Sequence, residues 1–181
     1  ARESIATEID QLTESLKPEA NATYSGRYVF SGNATETRPY TLGPVDTYAG
    51  NSGSVARVIG AGVSVAINVS AQGLLGNGQG AADNKLLDVM RDISENLRGG
   101  TPADWEALRG TDLERLDTNL DELTRVRAVV GATANRLEAA GSRLDELEES
   151  STDLLSKVED ADVAETLVQY STQKAAYESA L

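Results

Sequence analysis

The sequence predicts an α+β fold that is mainly α. We expect an elongated helical bundle or coiled coil, with a long C-terminal helix and a small β-rich subdomain inserted after the N-terminal helix. Apolar residues recur at helical spacing near the start of the chain and again from about residue 84 onward. Aromatic residues make up only 4% of the chain, so the core must be aliphatic, as in helical bundles. Between the two helical regions, short apolar runs alternate with Gly, Asn, Thr and Pro, which is typical of strands and turns.

These patterns predict two domains. Residues 1–23 and 82–181 form a helical bundle, and residues 24–81 form the β-rich subdomain. The first helix covers residues 1–17, where four apolar residues at spacings of four, three and four share one face: Ile5, Ile9, Leu12 and Leu16. We expect Pro18 to end or kink this helix. It lacks a capping residue at its start and the last helix lacks a stop signal, so we expect the natural protein to extend beyond both ends.

The β-rich subdomain begins with the sequence GRYVFSG, Gly26–Gly32. Tyr28–Phe30 is expected to be a strand, with tight turns at the flanking glycines. The clearest hairpin lies within residues 53–70, where valine and isoleucine alternate with small and polar residues. Val58–Gly62 resembles a dinucleotide-binding turn, but a strand pattern follows it where a helix is needed, so we predict a hairpin turn. Four glycines within residues 73–80 indicate a loop.

The rest of the chain reads as helices. One helix spans about residues 84–98 and ends at two glycines. Thr101 then caps a short helix with Pro102 at its first position. A capping box at Thr111–Glu114 opens the longest helix, which continues to about residue 157. We expect a last helix from about residue 162 to 181.

The longest helix carries a seven-residue apolar repeat, which indicates a coiled-coil seam. Its members are Leu116, Leu123, Val130, Leu137, Leu144, Ser151 and Val158, with Val126, Ala140, Leu147 and Leu154 between them. At 1.5 Å per residue this helix is roughly 70 Å long, whereas helices 1–17 and 84–98 together span roughly 48 Å. Part of the seam therefore requires another molecule or further sequence. This pattern predicts a protein that packs side by side with others.

Composition excludes several functions. The formal net charge of −13 argues against nucleic-acid binding and against anionic membrane surfaces. The chain has no Cys and no His, which removes thiol nucleophiles, the usual zinc sites and histidine acid–base chemistry. We expect no enzymatic activity, no cofactor and no metal. A carboxylate-dependent cell-wall glycan hydrolase is a remote alternative, because Glu36 and Asp46 are the only acids in residues 24–80 and do not stand out as a catalytic pair.

Two polar motifs occur late in the chain. Gly131 interrupts the long helix at a cost of about 1 kcal/mol relative to Ala. Asn135 and Arg136 follow it near the seam, which indicates either close helix packing beside a polar register-setting residue or a subunit contact. The acidic cluster of Glu159, Asp160 and Asp162 lacks calcium-loop spacing, and Asp162 is better explained as a helix cap.

These motifs resemble a known family. Arg127–Arg136 and Ser156–Glu165 resemble the C-terminal half of bacterial flagellins, where Ile-Glu-Asp-Ala-Asp-x-Ala follows a long helix; Val158 stands in place of Ile. Ala20–Gly32 is similar to the Asn-…-Gly-Arg-Tyr-Leu-Phe-Ser-Gly segment of hook–filament junction proteins, the third hook-associated proteins of the flagellum. Val29 stands in place of Leu there.

The resemblance implies a structural role outside the cell. Such proteins form a ring that joins the hook, through the first hook-associated protein, to the flagellin filament. It implies as partners the first hook-associated protein, flagellin, copies of the same chain, and an export chaperone that holds the C-terminal region. Export would proceed through the flagellar secretion apparatus. Filament flagellin itself is the alternative within the family.

The candidate subunit-interface residues come from these motifs. Tyr28 and Phe30 are expected to pack the β-rich subdomain against the helices, and Arg27 is expected to be exposed for a neighbour. The full set is Arg27, Tyr28, Phe30, Arg127, Gly131, Asn135, Arg136, Glu159, Asp160 and Asp162.

Overall fold

The computed structural model describes residues 1–43, 47–159 and 163–180. Over these residues the chain is mainly helical. The helices are α1 (Arg2–Ala20), α2 (Gln72–Leu75), α3 (Leu86–Gly99), α4 (Pro102–Arg109), α5 (Thr111–Glu159) and α6 (Val163–Ser179). Two small antiparallel sheets pair β1 (Thr23–Tyr24) with β2 (Arg27–Tyr28), and β3 (Ala56–Gly60) with β4 (Val63–Ala66). The predicted α+β, mainly α, class and the long C-terminal helix are confirmed.

The chain separates into two compact units, residues 1–136 and residues 137–181. The first unit holds both sheets and the helices α1 to α4, together with the first part of α5. The second holds the rest of α5, followed by α6. The division predicted from sequence, with residues 24–81 as a subdomain, stays a prediction, as does the coiled coil.

Helix α1 continues through Pro18 and ends at Ala20. Proline removes one main-chain donor, and near the end of a helix this loss is tolerated because the next residues still bond backward. The N–H of Asn21 donates to the carbonyl of Lys17 at 2.9 Å. The Asn21 side chain then holds Tyr40 twice, donating to its carbonyl at 2.8 Å and accepting from its N–H at 2.9 Å.

The GRYVFSG segment forms less strand than predicted. Only Arg27–Tyr28 lies in a strand, so the strand assignment is wrong for Val29 and Phe30. The main chain bends at these residues. The carbonyl of Phe30 accepts hydrogen bonds from the Tyr48 hydroxyl and the Ala71 N–H, both at 3.0 Å. Tertiary contacts therefore end the strand early.

The second hairpin matches its prediction. β3 ends at Gly60, Ala61 and Gly62 form the turn, and β4 begins at Val63. Gly62 has a φ of 72°, a left-handed conformation that glycine adopts at no steric cost. The hairpin-turn interpretation of Val58–Gly62 is confirmed.

The core of the first unit lies where α1, α2 and α3 meet the β-rich loops. It is built around five buried residues, against which partly buried side chains such as Phe30 and Tyr48 pack: Ala20, Tyr40, Ala71, Leu75 and Leu87. Tyr40 is fully buried, and its hydroxyl donates to the Gly76 carbonyl at 2.5 Å. The aromatic side chains thus join the β-rich loops to the helices, as the sequence predicted for Phe30.

Apart from α1, which continues past Pro18, the helix boundaries follow the sequence signals with two exceptions. Gly100 ends α3 in a left-handed conformation and Thr101 caps α4, both as predicted, and Thr101 also forms a complete capping box with Asp104. The capping box predicted at Thr111 is wrong, because the N–H of Glu114 donates instead to the Gly110 carbonyl at 3.0 Å and Thr111 lies inside α5. The glycine-rich segment expected to be a loop contains the single-turn helix α2. The predicted cap Asp162 lies outside the described residues.

Candidate subunit interface

The beginning of α5 is fixed to α3 by a cluster of charged side chains. Arg115 donates to Asp92 at 2.8 Å and to the buried Asp88 at 3.4 Å. Arg91 donates to Asp92 from the other side at 2.8 Å. Burial alone raises the pKa of Asp92, but hydrogen bonds from Arg91 and Arg115 outweigh it and hold that pKa below its ordinary value. These ion pairs therefore join the start of α5 to α3.

A short apolar groove lies further along α5 in the first unit. Leu123 and Val126 line it with Leu16 of α1, Phe30 and Leu74, and its volume is about 260 Å³. Asn119, one turn before Leu123, is buried and donates to the Asn84 carbonyl at 3.0 Å. The seam is thus half-covered at its start. Further along α5 the seam becomes exposed, and the exposed fraction of Val130 is 48%.

The second unit leaves its apolar side chains uncovered within the described residues. Every described side chain from Ser142 to Val158, and again from Glu165 to Ala180, is exposed. The set includes large apolar residues of α5 and α6: Leu144, Leu147, Leu154, Leu155, Val158, Leu167, Val168, Tyr170 and Tyr177. Helices with an apolar face owe most of their stability in proteins to the packing of that face. These two helices therefore present a surface suited to a partner helix.

The polar motif on α5 is also exposed. Arg127, Gly131 and Asn135 are four residues apart and share one helix face. Neither Arg127, Asn135 nor Arg136 forms a side-chain hydrogen bond or ion pair with another described residue. A Cβ atom at Gly131 would meet nothing within 4 Å. The close approach that would explain this glycine is therefore not made by the described part of the chain itself.

The first hairpin brings Arg27 and Tyr28 to the surface. Ser25 and Gly26 connect β1 to β2 with φ values of 49° and 75°, which is the two-residue turn that matches strand twist. Arg27 donates to Thr35 at 3.0 Å, and its side chain is 63% exposed. Tyr24 lies opposite Arg27 and is 78% exposed. Phe30, by contrast, is turned into the core cluster and serves the fold.

The sequence analysis missed Tyr24 and Arg38 in this region. Arg38 is exposed and donates to the Tyr28 hydroxyl at 3.4 Å. The missed signal was the Ser25-Gly26 pair between Thr-Tyr and Arg-Tyr, a two-residue turn between β-forming residues. Recognising it would have placed Tyr24 beside Arg27.

The last predicted site residues lie at the end of α5. Glu159 is its final residue, and Asp160 and Asp162 lie outside the described residues. Across the described ranges, no group of three His, Cys, Asp or Glu side chains is arranged to hold a metal ion. No helix in those ranges is both long and apolar enough to cross a bilayer. The described candidate residues thus form packing surfaces.

Comparison with known proteins identifies what this arrangement resembles. Residues 113–181 match the model of the bacterial flagellin C-terminal helical region. The chain is 28% identical over 194 residues to flagellar hook-associated protein 3 of Escherichia coli K12, a match covering 98% of this chain and 61% of that relative. The chain thus spans about three-fifths of the length of the relative. The predicted flagellin-like character of the C-terminal region is confirmed.

A solved structure supports the same fold. It comes from a Vibrio parahaemolyticus protein provisionally assigned as flagellar hook-associated, and it superposes with a TM-score of 0.59. The match covers 84% of this chain and 69% of the other, at 19% sequence identity. An identity this low bears on the fold alone. The two sequence comparisons thus show similarity to flagellar hook-associated protein 3 over almost the whole chain and to bacterial flagellins in its C-terminal helices.

Proposed function

We propose that this chain is a structural subunit of the bacterial flagellum, forming the junction ring that joins the hook, through the first hook-associated protein, to the flagellin filament. One observation carries the proposal: similarity to flagellar hook-associated protein 3 extends over 98% of the chain, whereas the flagellin model matches only residues 113–181. The longer match includes the GRYVFSG segment, which is the part that resembles junction proteins rather than filament flagellins.

The exposed helices of the second unit support an assembly role. Their uncovered apolar side chains fit a coiled coil with helices from neighbouring subunits or from further parts of the natural protein. Arg127, Gly131, Asn135 and Arg136 would face a closely packed neighbour, since Gly131 has open space beside it. The segment Glu159–Asp162 would complete the family motif after α5. Residues 24–81 would act as the separate β-rich subdomain.

The proposed partners follow from this role. They are the first hook-associated protein, flagellin, further copies of the chain, and an export chaperone at the C-terminal region. The location is extracellular, at the flagellum, after export through the flagellar secretion apparatus. The role needs no catalysis and no cofactor, and a net charge of −13 disfavours nucleic acid and anionic membranes as partners.

Filament flagellin is the second candidate, and the match of residues 113–181 favours it. A gene deletion in the source organism separates the two roles. For a junction protein, we expect hooks without filaments and flagellin released into the medium, with filaments restored by the intact gene. Loss of filaments without flagellin in the medium would favour the filament role. Normal filaments, in a strain without a second copy of the gene, would contradict both.

A further inference from the structure

The first hairpin carries tyrosine and arginine side chains on its two faces, which we call the hairpin patch: the exposed Tyr24, Arg27 and Arg38, and the half-buried Tyr28. Tyr24 and Arg27 are directly opposite across β1 and β2, so their side chains lie on the same face. Arg38 reaches the Tyr28 hydroxyl. Tyrosine and arginine are the residues that most often dominate binding energy at protein interfaces. Ser25 adopts a left-handed φ of 49° in the turn, and such strain is concentrated at functional sites.

The hairpin patch lies in a long stretch of the sequence with a slightly positive balance. Residues 20–82 contain three basic residues and two acids, a net charge of +1, which leaves −14 for the rest of a chain whose total is −13. Two of those three basic residues, Arg27 and Arg38, belong to the patch. Among the described residues, Glu36 forms an ion pair with the patch, 3.7 Å from Arg27, and is highly exposed. The patch is therefore suited to an acidic partner surface.

The strongest acidic surface of the described residues is on α5. Residues 145–153 contain five acids and no basic residue, all exposed and without an ion pair to any described residue: Asp145, Glu146, Glu148, Glu149 and Asp153. We call Asp145, Glu149 and Asp153 the acidic stripe, because their spacing of four puts them on one helix face. At 3.6 residues per turn this face is opposite Leu144, Leu147 and Leu154 of the seam. Like charges at this spacing weaken a helix, and a cationic partner would relieve them.

We propose that the hairpin patch of one copy docks on the acidic stripe of α5 in a neighbouring copy. This inference rests on the proposed ring function. Opposite charge identifies the occupant, since both surfaces occur in the same chain and copies of that chain assemble next to each other. The contact joins two different surfaces, and a head-to-tail contact of this kind can close into a ring. Because the stripe is opposite the seam, both surfaces of α5 can be occupied at once.

The test uses cross-linking in purified flagella. The chain has no cysteine, so Tyr24→Cys with Glu149→Cys introduces the only thiols. In the ring, each copy would present one cysteine to each neighbour, and a short bis-maleimide is expected to yield a ladder of dimers, trimers and larger species. The matched control, Gln11→Cys with Glu149→Cys, keeps the acidic position but moves the other thiol to an exposed site on α1. It is expected to yield no ladder.

Charge reversal tests the chemistry of the contact. Adding Arg27→Glu and Arg38→Glu to the double-cysteine variant is expected to reduce the ladder about fivefold, the effect of losing two exposed ion pairs. Further addition of Asp145→Lys and Asp153→Lys is expected to restore it. Arg57→Glu, the same charge change on β3 outside the patch, is expected to leave it unchanged. The same cross-linking of the purified chain at low salt gives a second readout that does not need the assembled flagellum. Low salt is chosen because ions then screen the attraction between the two charged surfaces least.

The outcomes separate this contact from the proposed function. Absence of the wild-type chain from purified flagella would contradict the function, and the contact with it. The contact alone would be overturned if the chain is present in purified flagella but cross-linking gives one of three results. These are only monomers, only an internally cross-linked chain, or a ladder equal to that of the Gln11→Cys control. Failure of the lysine substitutions to restore the ladder, in a variant whose thermal unfolding matches the wild type, would also overturn it.

Discussion

Lys17 is a fully buried cation whose charge is balanced locally. Its Nζ donates to Glu14 Oε1 and to the Gly43 carbonyl, each at 2.6 Å. Glu14 in turn accepts from the Gly43 N–H at 3.2 Å and from Gln79 at 3.2 Å. Burial alone raises the pKa of Glu14, but the hydrogen bond from Lys17 and its charge bring that pKa below its ordinary value. The pair joins α1 to two separate loops.

Lys17→Ala should therefore destabilise the fold strongly. It removes a buried cation and leaves the Gly43 carbonyl and Glu14 without their donor, a loss of about 2–3 kcal/mol in the free energy of unfolding. The control is Lys174→Ala on α6, whose side chain is 61% exposed and 4.0 Å from Glu178, with an expected change below about 0.5 kcal/mol. Equal denaturant midpoints for the two variants would show that the Lys17 contacts contribute little.

Ser25→Asn should stabilise the first hairpin. Ser25 has a φ of 49°, a conformation that asparagine tolerates better than serine, and Asn-Gly is the preferred pair for this turn. We expect a gain of roughly 0.5 kcal/mol. Ser52→Asn is the matched control, because Ser52 is exposed without a positive φ, and it should leave stability unchanged. A loss of stability for Ser25→Asn, measured by thermal unfolding, would contradict the turn assignment.

Neither the burial of Lys17 nor the positive φ of Ser25 follows from local patterns, although the Ser25-Gly26 pair is itself a signal for a turn. The burial of Lys17 depends on loops that come from residues 43 and 79, which are far away along the chain. Ser25 takes a left-handed conformation because β1 and β2 pair on either side of it, and each strand is only two residues long. Propensity and periodicity over a local window contain neither piece of information.

At the scale of elements, the capping of α4 and α5 gives a matched test. The sequence predicts a helix cap at Thr101 and a capping box at Thr111, whereas the structure has a capping box only at Thr101. Thr101→Ala should cost about 1 kcal/mol. Thr111→Ala should change the free energy of unfolding by less than about 0.5 kcal/mol, since Ala is a better helix former than Thr inside a helix. A larger loss at Thr111 than at Thr101 would reverse this assignment.

The attachment of α5 to α3 should depend on pH. The folded state holds the pKa of Asp92 below its unfolded value, so the ion pair stabilises the fold above the unfolded pKa. This contribution is lost as the pH falls through the lower, folded-state pKa. Arg115→Met should cost about 3 kcal/mol at neutral pH, because it strips the buried Asp88 and Asp92 of a partner. The cost should shrink as the pH is lowered below about 4.

Urea unfolding at a series of pH values measures this difference. Arg109→Met provides the control, because Arg109 is exposed and forms no ion pair with another described residue. Its difference from the wild type should stay within about 0.5 kcal/mol at every pH. A cost of Arg115→Met that is independent of pH would mean that packing, and not charge, fixes the start of α5.

The elements themselves were largely predictable. Local apolar periodicity placed α1, α3, α5 and α6 to within a few residues, because each helix repeats its pattern over several turns. The single turn of α2 and the early end of β2 were not predictable. Both depend on the core cluster, where Leu75 and Phe30 meet the buried Tyr40. Tertiary contacts decide short elements that propensity leaves open.

At the scale of the whole molecule, the described chain combines a packed unit with an uncovered one. Residues 1–136 enclose a core, whereas the described side chains of residues 142–158 and 165–180 are exposed. The heptad repeat correctly indicated apolar side chains that the described chain leaves exposed. It could not indicate which partner covers that surface, because aliphatic seams of this kind specify little beyond a helix. The family resemblance, and not periodicity, led to the flagellum.

The location of the protein on intact flagella tests the junction role most directly. Purified hook–filament preparations would be labelled with an antibody to this chain and examined by electron microscopy, with flagella from the deletion strain as the control. The account predicts label in one narrow band where the hook meets the filament. Label along the whole filament, or none on flagella from the wild-type strain, would contradict it.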